Sequence, residues 1–144
     1  MPKTPFIAVV DDEESIRKAL TRLLGSAGLE VKSFSAGADF LESLETRRPD
    51  CLVLDLHMPG MTGFEVQTRL LQSGARIPAI IITGHDSLAS REQAMSGRPS
   101  AYFRKPVDGQ ALLDAIDFAL GQEPAEHRPL PATARKAPAP FTPQ

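Results

Sequence analysis

Five polar side chains in this 144-residue sequence could together handle a phosphoryl group and a metal ion. Three are carboxylates, which repel one another when crowded and favour a hard divalent cation with oxygen ligands, such as Mg²⁺. A lysine can neutralise an added anion, and a threonine hydroxyl can donate a hydrogen bond to it. The residues are Asp11, Asp12, Asp55, Thr83 and Lys105.

A carboxylate in such a site is also a nucleophile, and its attack on phosphorus gives an aspartyl phosphate. The cation, the lysine and the hydroxyl would spread the charge of the group in transfer, because phosphoryl transfer depends mainly on positioning and electrostatics. The sequence has no glycine-rich phosphate loop, which argues against nucleotide binding.

Two patterns of apolar residues alternate along residues 1–121: short apolar runs and segments with the spacing of a helix. Short apolar runs, several of them nearly continuous, are typical of strands buried in a parallel sheet, and segments with helical spacing of apolar residues lie between them. A strand–helix pattern repeated five times predicts an α/β fold with a doubly wound sheet and helices on both faces. The runs span residues 6–10, 31–34, 51–54, 78–82 and 101–103.

The five polar residues lie where the apolar runs end. Asp11 and Asp12 follow the first run, and Asp55, Thr83 and Lys105 follow or lie just beyond later ones. Ligands of open parallel sheets bind outside the carboxyl ends of the strands, so the five side chains are expected in one cleft. Asp11 taken alone is more typical of a helix cap than of a ligand.

Composition excludes several classes of protein. Hydrophobic residues make up 42% and charged residues 24%, which is ordinary for a globular domain. The formal charge of −2 gives no basic footprint for nucleic acid. The single cysteine, Cys51, allows no internal disulfide, and apolar runs of about five residues are far too short to span a bilayer. We expect a cytoplasmic protein without membrane contact.

A compositional boundary follows Gly121. Residues 122–144 hold six of the thirteen prolines and few large apolar side chains, which predicts a domain at 1–121 and a disordered Pro/Ala-rich tail or linker at 122–144. A proline-rich docking segment is the functional alternative. Within the domain, segment 86–97 gives the weakest helix pattern because it is short and polar, whereas Asp108 is a plausible N-cap for the last helix.

The site residues and their neighbours resemble the receiver domain of bacterial two-component response regulators, in particular the FixJ-type subgroup. The resemblance rests on the acid pair at 11–12, the run Asp-Leu-His-Met-Pro-Gly-Met-Thr-Gly at 55–63, Thr-Gly at 83–84 and Lys-Pro at 105–106. It covers about residues 5–120. It implies a flavodoxin-like (βα)5 fold with a five-stranded parallel sheet in the order 2-1-3-4-5.

The resemblance also implies roles for the acidic residues. Asp55 would be the phosphoacceptor. Asp12 and Asp55 would ligate Mg²⁺, Asp11 would hold a metal-bound water, and the backbone carbonyl of His57 would complete the protein ligands. The domain would assist its own Mg²⁺-dependent phosphorylation and dephosphorylation without being an enzyme.

The resemblance also implies that three further residues respond to the phosphoryl group. Thr83 would hydrogen-bond the phosphoryl group and shift towards it, and Lys105 would pair with the phosphate. Tyr102 falls at the aromatic switch position. Without the resemblance, Tyr102 would be read as half-buried packing with its hydroxyl in water. The Lys105–Pro106 bond is often cis in the family.

Two histidines flank the expected site. His57 lies two residues after Asp55, and His85 lies two residues after Thr83. The side chain of His57 could be a metal ligand or a phosphohistidine, but in receivers these two positions tune how quickly water reaches the phosphoryl group. We hypothesise that role for both.

These observations give a leading function and three alternatives. A sensor histidine kinase or phosphotransfer protein would phosphorylate Asp55 and switch a surface that binds a downstream protein, with a homodimer as one outcome and no direct nucleic-acid contact. Alternatively, the chain is the receiver half of a transcriptional regulator whose DNA-binding domain is absent here. An aspartyl-phosphate phosphatase is disfavoured because His57 stands where a second acid is needed, and a degenerate docking receiver because all five residues are intact.

Overall fold

The computed structural model describes residues 4–121, which form a five-stranded, fully parallel sheet in the order β2-β1-β3-β4-β5. This order and the α/β class confirm the predicted fold. The strands are β1 Phe6–Val10, β2 Glu30–Phe34, β3 Cys51–Asp55, β4 Ala79–Thr83 and β5 Ala101–Arg104.

The burial of the strands explains their composition. Every residue of β1, β3 and β4 is buried, as the continuous apolar runs predicted for strands covered on both faces. Strand β2 lies at the edge of the sheet and is mostly exposed, which accounts for its weaker apolar pattern. The register places Asp55 beside Ile82 and Thr83 beside Arg104.

Five helices alternate with the strands and cover both faces of the sheet. One hydrophobic cluster includes side chains of the second, third and fourth helices, and the other includes those of the first and fifth helices. The doubly wound arrangement predicted from the alternating periods is therefore present. The helices are α1 Glu14–Ser26, α2 Gly37–Ser43, α3 Gly63–Ser73, α4 Leu88–Met95 and α5 Gly109–Leu120.

The polar segment with the weakest helical pattern does form a helix, the eight-residue α4. Ser87 caps its first turn by accepting a hydrogen bond from the backbone N–H of Ser90 at 3.0 Å. Ala94 is its one buried residue, which explains why hydrophobic periodicity barely marked it. Asp108 caps α5 as predicted, accepting from the N–H of Ala111 at 2.8 Å.

Two predictions concern chain segments rather than the sheet. The tail predicted at 122–144 lies outside the described residues. Within residues 4–121, no helix has both the length and the apolar character needed to cross a bilayer.

Candidate functional site

The three predicted carboxylates meet at the carboxyl edge of the sheet. Asp11 and Asp12 follow β1, and Asp55 is the last residue of β3. One carboxylate oxygen from each lies within 4.8 Å of the others. Asp11 is fully buried and Asp55 is 3% exposed, whereas Asp12 is exposed to solvent. The cluster is thus closed beneath and open on one side.

The run after Asp55 is shaped by its glycines. Gly60 has a φ of 77°, which a side chain would disfavour. A Cβ at Gly63 would collide with the backbone carbonyl of Asp55, and the Gly63 N–H donates to the carbonyl of Leu56 at 2.9 Å. Thr62 then starts α3 with a capping box. These features bring α3 close against the end of β3 and fix the chain that carries Asp55.

Asp11 uses its two carboxylate oxygens differently. Its Oδ1 accepts a hydrogen bond from the Glu13 backbone N–H at 2.9 Å, but Asp11 does not cap α1, because the N-cap position of that helix is Glu13. Its Oδ2 is buried and faces Lys105 Nζ at 2.9 Å, a contact that uses one of the two lone pairs of this oxygen. The oxygen has a cation beside it but retains unused hydrogen-bonding capacity.

Lys105 is the cation that faces the cluster. Its Nζ lies 2.9 Å from Asp11 Oδ2, 2.9 Å from Glu13 Oε1 and 3.7 Å from Asp55 Oδ1. Burial alone would lower the pKa of Lys105, but its pairing with Glu13 and Asp11 outweighs burial and raises it. The Lys105–Pro106 peptide bond is cis, as expected.

The electrostatics of Asp55 are unusual. Burial and the charge of neighbouring Asp11 raise the pKa of Asp55 to about 7, while Lys105 and a hydrogen bond from the His57 backbone oppose that rise. The Lys105 ammonium therefore does not offset the combined effect of burial and Asp11 on the pKa of Asp55.

Thr83 ends β4 and is fully buried. Its Oγ1 accepts a hydrogen bond from the backbone N–H of His85 at 3.0 Å. Because a hydroxyl can accept and donate at once, this contact leaves the Thr83 O–H able to donate to another acceptor.

The acid cluster opens into a cleft of about 490 Å³. His57 and His85 lie on its rim with their rings edge to face at a centroid distance of 5.3 Å, and Phe64 contacts His57 in the same way at 5.7 Å. Both histidines are exposed, so they flank the opening as their spacing predicted. The cleft is lined by Asp12, Glu13, Ile16, Asp55, His57, Gly84, His85, Lys105 and Pro106.

Tyr102 lies apart from the acid cluster. Its side chain is 7% exposed, and its hydroxyl donates to Asp86 Oδ1 at 2.8 Å. The simple expectation of a hydroxyl in water is therefore wrong, because an acidic side chain of the β4–α4 loop takes that place. Sequence reasoning missed Asp86 and Glu13. Glu13 could have been predicted as a site residue because it directly follows the acid pair, whereas no feature of the sequence indicated that Asp86 would bind Tyr102.

The donor set fits a hard divalent cation. It offers a carboxylate oxygen from each of three residues, spare acceptor capacity on Asp11 Oδ2, and a position for Asp55 where burial and the charge of Asp11 raise its pKa. Oxygen ligands and an open side that admits water suit Mg²⁺ rather than a thiolate- or imidazole-seeking metal.

Comparisons with known proteins agree with this geometry. A family model described as the response regulator receiver domain matches residues 7–117. Nodulation protein W of Bradyrhizobium diazoefficiens is 40% identical over 82% of this chain and 52% of that protein. Transcriptional regulatory protein FixJ of Azorhizobium caulinodans is 32% identical over 89% of this chain and 61% of that protein. The crystal structure of FixJ-N is 33% identical with a TM-score of 0.78, covering 87% of this chain and 99% of that one.

The covered shares show that the chain matches only part of each curated relative. The chain spans between 52% and 61% of the two curated relatives, but nearly all of the FixJ-N structure. The similarity therefore concerns one part of each of these longer proteins. With its fold, its strand-end residues and a family model that matches 7–117, the chain belongs to the receiver domain family of two-component response regulators.

Proposed function

We propose that Asp55 is the phosphoacceptor and that its donor is a sensor histidine kinase or a phosphotransfer protein. The observation that carries this proposal is the position of the Asp55 carboxylate. It lines an open cleft beside two further carboxylates, and Lys105 Nζ lies 3.7 Å from its Oδ1. An acid held there can reach a donor that enters from solvent.

The transfer step is a displacement at phosphorus. A carboxylate oxygen of Asp55 attacks, a new O–P bond forms, and the N–P bond of the donor phosphohistidine breaks. The electron pair of that bond stays on the imidazole, which takes a proton. Attack requires the ionised carboxylate, so Lys105, which favours the charged form of Asp55, assists the reaction.

Mg²⁺ would be held by Asp12 and Asp55, by a water on Asp11 and by the backbone carbonyl of His57. When bound, it neutralises charge on the phosphoryl oxygens and lowers the cost of bringing an anion to an acidic site. The acid cluster and the unused acceptor capacity of Asp11 Oδ2 support this assignment.

Lys105 and Thr83 would stabilise the transferred group. Lys105 Nζ is shared among three carboxylates and exchanges part of this pairing for a phosphoryl oxygen. The Thr83 hydroxyl donates a hydrogen bond to another phosphoryl oxygen, while its Oγ1 continues to accept the hydrogen bond from the N–H of His85. Lys105 and Thr83 thus stabilise the negative charge of the phosphoryl oxygens, which is present only when the phosphoryl group is bound or in transfer.

Loss of the group would occur by hydrolysis. Water attacks phosphorus, the O–P bond to Asp55 breaks, and inorganic phosphate leaves with regeneration of the carboxylate. His57 and His85 stand at the opening that this water crosses, so we assign them to the control of its access. Replacing either by alanine is expected to change the lifetime of the aspartyl phosphate. An unchanged lifetime in both variants would contradict the assignment.

The signal would leave through a protein surface. Phosphorylation adds a charge of about −1.5 to −2 beside Lys105 and Thr83. We propose that Tyr102 and the helices near it form the responding surface. That surface would bind a downstream protein, with a second phosphorylated copy as one possible partner.

A second candidate function follows from the length of the relatives. The chain spans 61% of a protein named as a transcriptional regulator. We propose residues 1–121 as the receiver and 122–144 as a tail or linker. In the alternative, that linker leads to a DNA-binding output domain.

Intact-mass spectrometry tests the proposed chemistry. The protein is incubated with Mg²⁺ and acetyl phosphate, beside Asp55→Ala and beside a sample with EDTA. One added phosphoryl group that requires both Asp55 and Mg²⁺ is the expected result. The matched control, Asp50→Ala, alters an acid just before the same strand and should still gain the group.

An adduct on the Asp55→Ala protein, or one formed equally with EDTA, would contradict the proposal. If no adduct is seen on the wild-type chain, beryllofluoride binding in the presence of Mg²⁺ distinguishes fast hydrolysis from an inactive site. Failure of the wild-type chain to bind beryllofluoride would reject the proposed function.

A further inference from the structure

A three-residue polar network lies between the acid cluster and α4. Asp86 accepts the Tyr102 hydroxyl on Oδ1 at 2.8 Å and pairs through Oδ2 with Arg91 at 2.6 Å. The Arg91 guanidinium also lies 5.4 Å from the centroid of the Tyr102 ring. The three side chains belong to the β4–α4 loop, β5 and α4, so the network joins three elements.

The network is more buried than an ordinary surface ion pair. The Asp86 side chain is 14% exposed, and Arg91 Nε is buried without a hydrogen-bond partner among residues 4–121. Burial alone would raise the pKa of Asp86, but hydrogen bonds from Tyr102 and Arg91 outweigh it and lower the pKa. Arg104 Nη1, at 4.0 Å from Oδ2, is a further cation facing the carboxylate.

The same loop is tied to Thr83. Asp86 lies three residues after Thr83, and the intervening His85 donates its backbone N–H to Thr83 Oγ1 at 3.0 Å. A displacement of Thr83 towards a phosphoryl group would therefore move the backbone that carries Asp86. Through Asp86 it would act on both Tyr102 and α4.

We propose that Asp86 is a positioning residue that couples phosphoryl binding at Asp55 to the placement of Tyr102 and α4. This inference rests on the proposed function. Asp86 and Arg91 hold the Tyr102 ring inward while the Thr83 hydroxyl is arranged to donate. The network thus stabilises the arrangement that receives the phosphoryl group, and by reciprocity its loss weakens phosphoryl binding.

The composition of the chain provides a direct reporter for the hydrogen bond. Tyr102 is the one tyrosine of the sequence, and there is no tryptophan, so tyrosinate absorbance and intrinsic emission report on Tyr102 alone. Burial and the bond to Asp86 raise the pKa of Tyr102 to about 12. In Asp86→Asn this pKa is expected to fall, because the carboxylate charge is removed. Asp114→Asn, at an exposed acid of α5, should leave it unchanged.

Calorimetric titration with beryllofluoride in the presence of Mg²⁺ then measures the coupling. Asp86→Asn is expected to bind this phosphoryl mimic about two- to thirtyfold more weakly, the range seen for single substitutions in coupled networks. Tyr102→Phe, which keeps the ring and removes the hydroxyl, should also weaken binding. The double variant should lose less than the product of the two single losses because they remove one shared contact. Asp114→Asn should bind as the wild-type chain does.

The outcomes separate the two proposals. Wild-type binding with equal or tighter binding by both Asp86→Asn and Tyr102→Phe would overturn the coupling but leave the phosphoacceptor function intact. Absence of wild-type binding would overturn the proposed function and the coupling with it, even if the Tyr102 pKa fell in Asp86→Asn. Thermal melting of each variant verifies that folding is retained, and Tyr102→Phe provides the test if Asp86→Asn does not fold.

Discussion

Helices α4 and α5 cover opposite faces of the sheet and are held there in different ways. Helix α5 buries Leu112, Ile116 and Ala119 in one hydrophobic cluster. Helix α4 buries only Ala94 and exposes 72% of Leu88. The attachment of α5 is apolar, and that of α4 is mostly polar.

The polar contacts of α4 are directional hydrogen bonds and an ion pair, and they add to the packing of Ala94 and Met95. Buried Gln67 of α3 donates to the carbonyl of Ala94 at 3.0 Å, near the end of α4. Arg91 pairs with Asp86 in the preceding loop at 2.6 Å. A hydrogen bond contributes about 0.5–1.5 kcal/mol net, whereas a buried leucine or isoleucine contributes about 1.5–3 kcal/mol.

This difference bears on which element can respond to the site. Apolar packing tolerates small displacements, whereas a hydrogen bond requires a defined distance and angle and so passes a displacement from one partner to the other. Elements with few buried apolar contacts also open most readily. Helix α4, attached to the loop that follows Thr83, is therefore the element expected to change when Asp55 is phosphorylated, while α5 remains in place.

The largest expected effect comes from removing apolar packing under α5. Ile116 is 1% exposed, so Ile116→Ala should lower the free energy of unfolding by about 2–5 kcal/mol through lost burial and a cavity. Leu88→Ala on α4 should change it by less than about 0.5 kcal/mol. Urea unfolding measures both. Equal costs for the two substitutions would refute the contrast.

The ionised carboxylate of Asp55 should lower the free energy of unfolding, whereas the apolar core under α5 raises it. The pKa of Asp55 is raised from 3.8 to about 7, so between these values the folded protein binds more protons than the unfolded chain. The contribution of Asp55 to stability without metal therefore falls as pH rises through this window. At pH 8 in EDTA, Asp55→Asn should raise the free energy of unfolding by up to about 4 kcal/mol, because each unit of pKa corresponds to about 1.4 kcal/mol.

Chemical unfolding at several pH values and Mg²⁺ concentrations checks this prediction. The Asn variant should lack most of the wild-type decline between pH 4 and pH 7, and Mg²⁺ should stabilise the wild-type chain more than the variant. A difference in stability between the wild-type chain and the Asn variant that stays constant through that window would show that burial and Asp11 do not destabilise the Asp55 carboxylate.

The hydrogen bond from Gln67 should matter less than the core under α5. Gln67→Met keeps the length of the side chain but removes the donor to Ala94, which should cost about 1 kcal/mol. Gln72→Met makes the same change at an exposed position of α3 and should be near neutral. If the two variants unfold alike in urea, the polar attachment of α4 is weaker than described.

The smallest effect concerns the rim of the site. Glu13 pairs with Lys105 at 2.9 Å and competes with an incoming phosphoryl group for it. Glu13→Gln should therefore tighten beryllofluoride binding by less than about fivefold, because the glutamate is exposed. Glu14→Gln, which alters an exposed pair on α1, should have no effect. Weaker binding by Glu13→Gln would show that Glu13 assists the site instead of competing with the phosphoryl group.

The sheet and the acid cluster were predictable because they follow from local pattern and topology. Continuous apolar runs marked β1, β3 and β4, and the parallel order brings their carboxyl ends together. The meeting of Asp11 and Asp55 follows from that geometry without knowledge of side-chain contacts.

The polar contacts that link the site to α4 were not predictable in the same way. The bond between Asp86 and Tyr102 joins a loop to a strand 16 residues away and depends on how the loop turns. Helix α4 itself gave little hydrophobic signal, since Ala94 is its one buried residue. Its start at Ser87 and its attachment through Gln67 depend on hydrogen bonds that binary patterning does not register.

Amide hydrogen exchange tests the central claim, that the Asp55 site acts on α4 and not on α5. Exchange is compared with and without Mg²⁺ and beryllofluoride, in the wild-type chain and in Asp55→Ala. We predict changed protection in residues 84–95 and unchanged protection in 110–120, both dependent on Asp55. Equal changes in both segments, or a change confined to 110–120, would contradict the account.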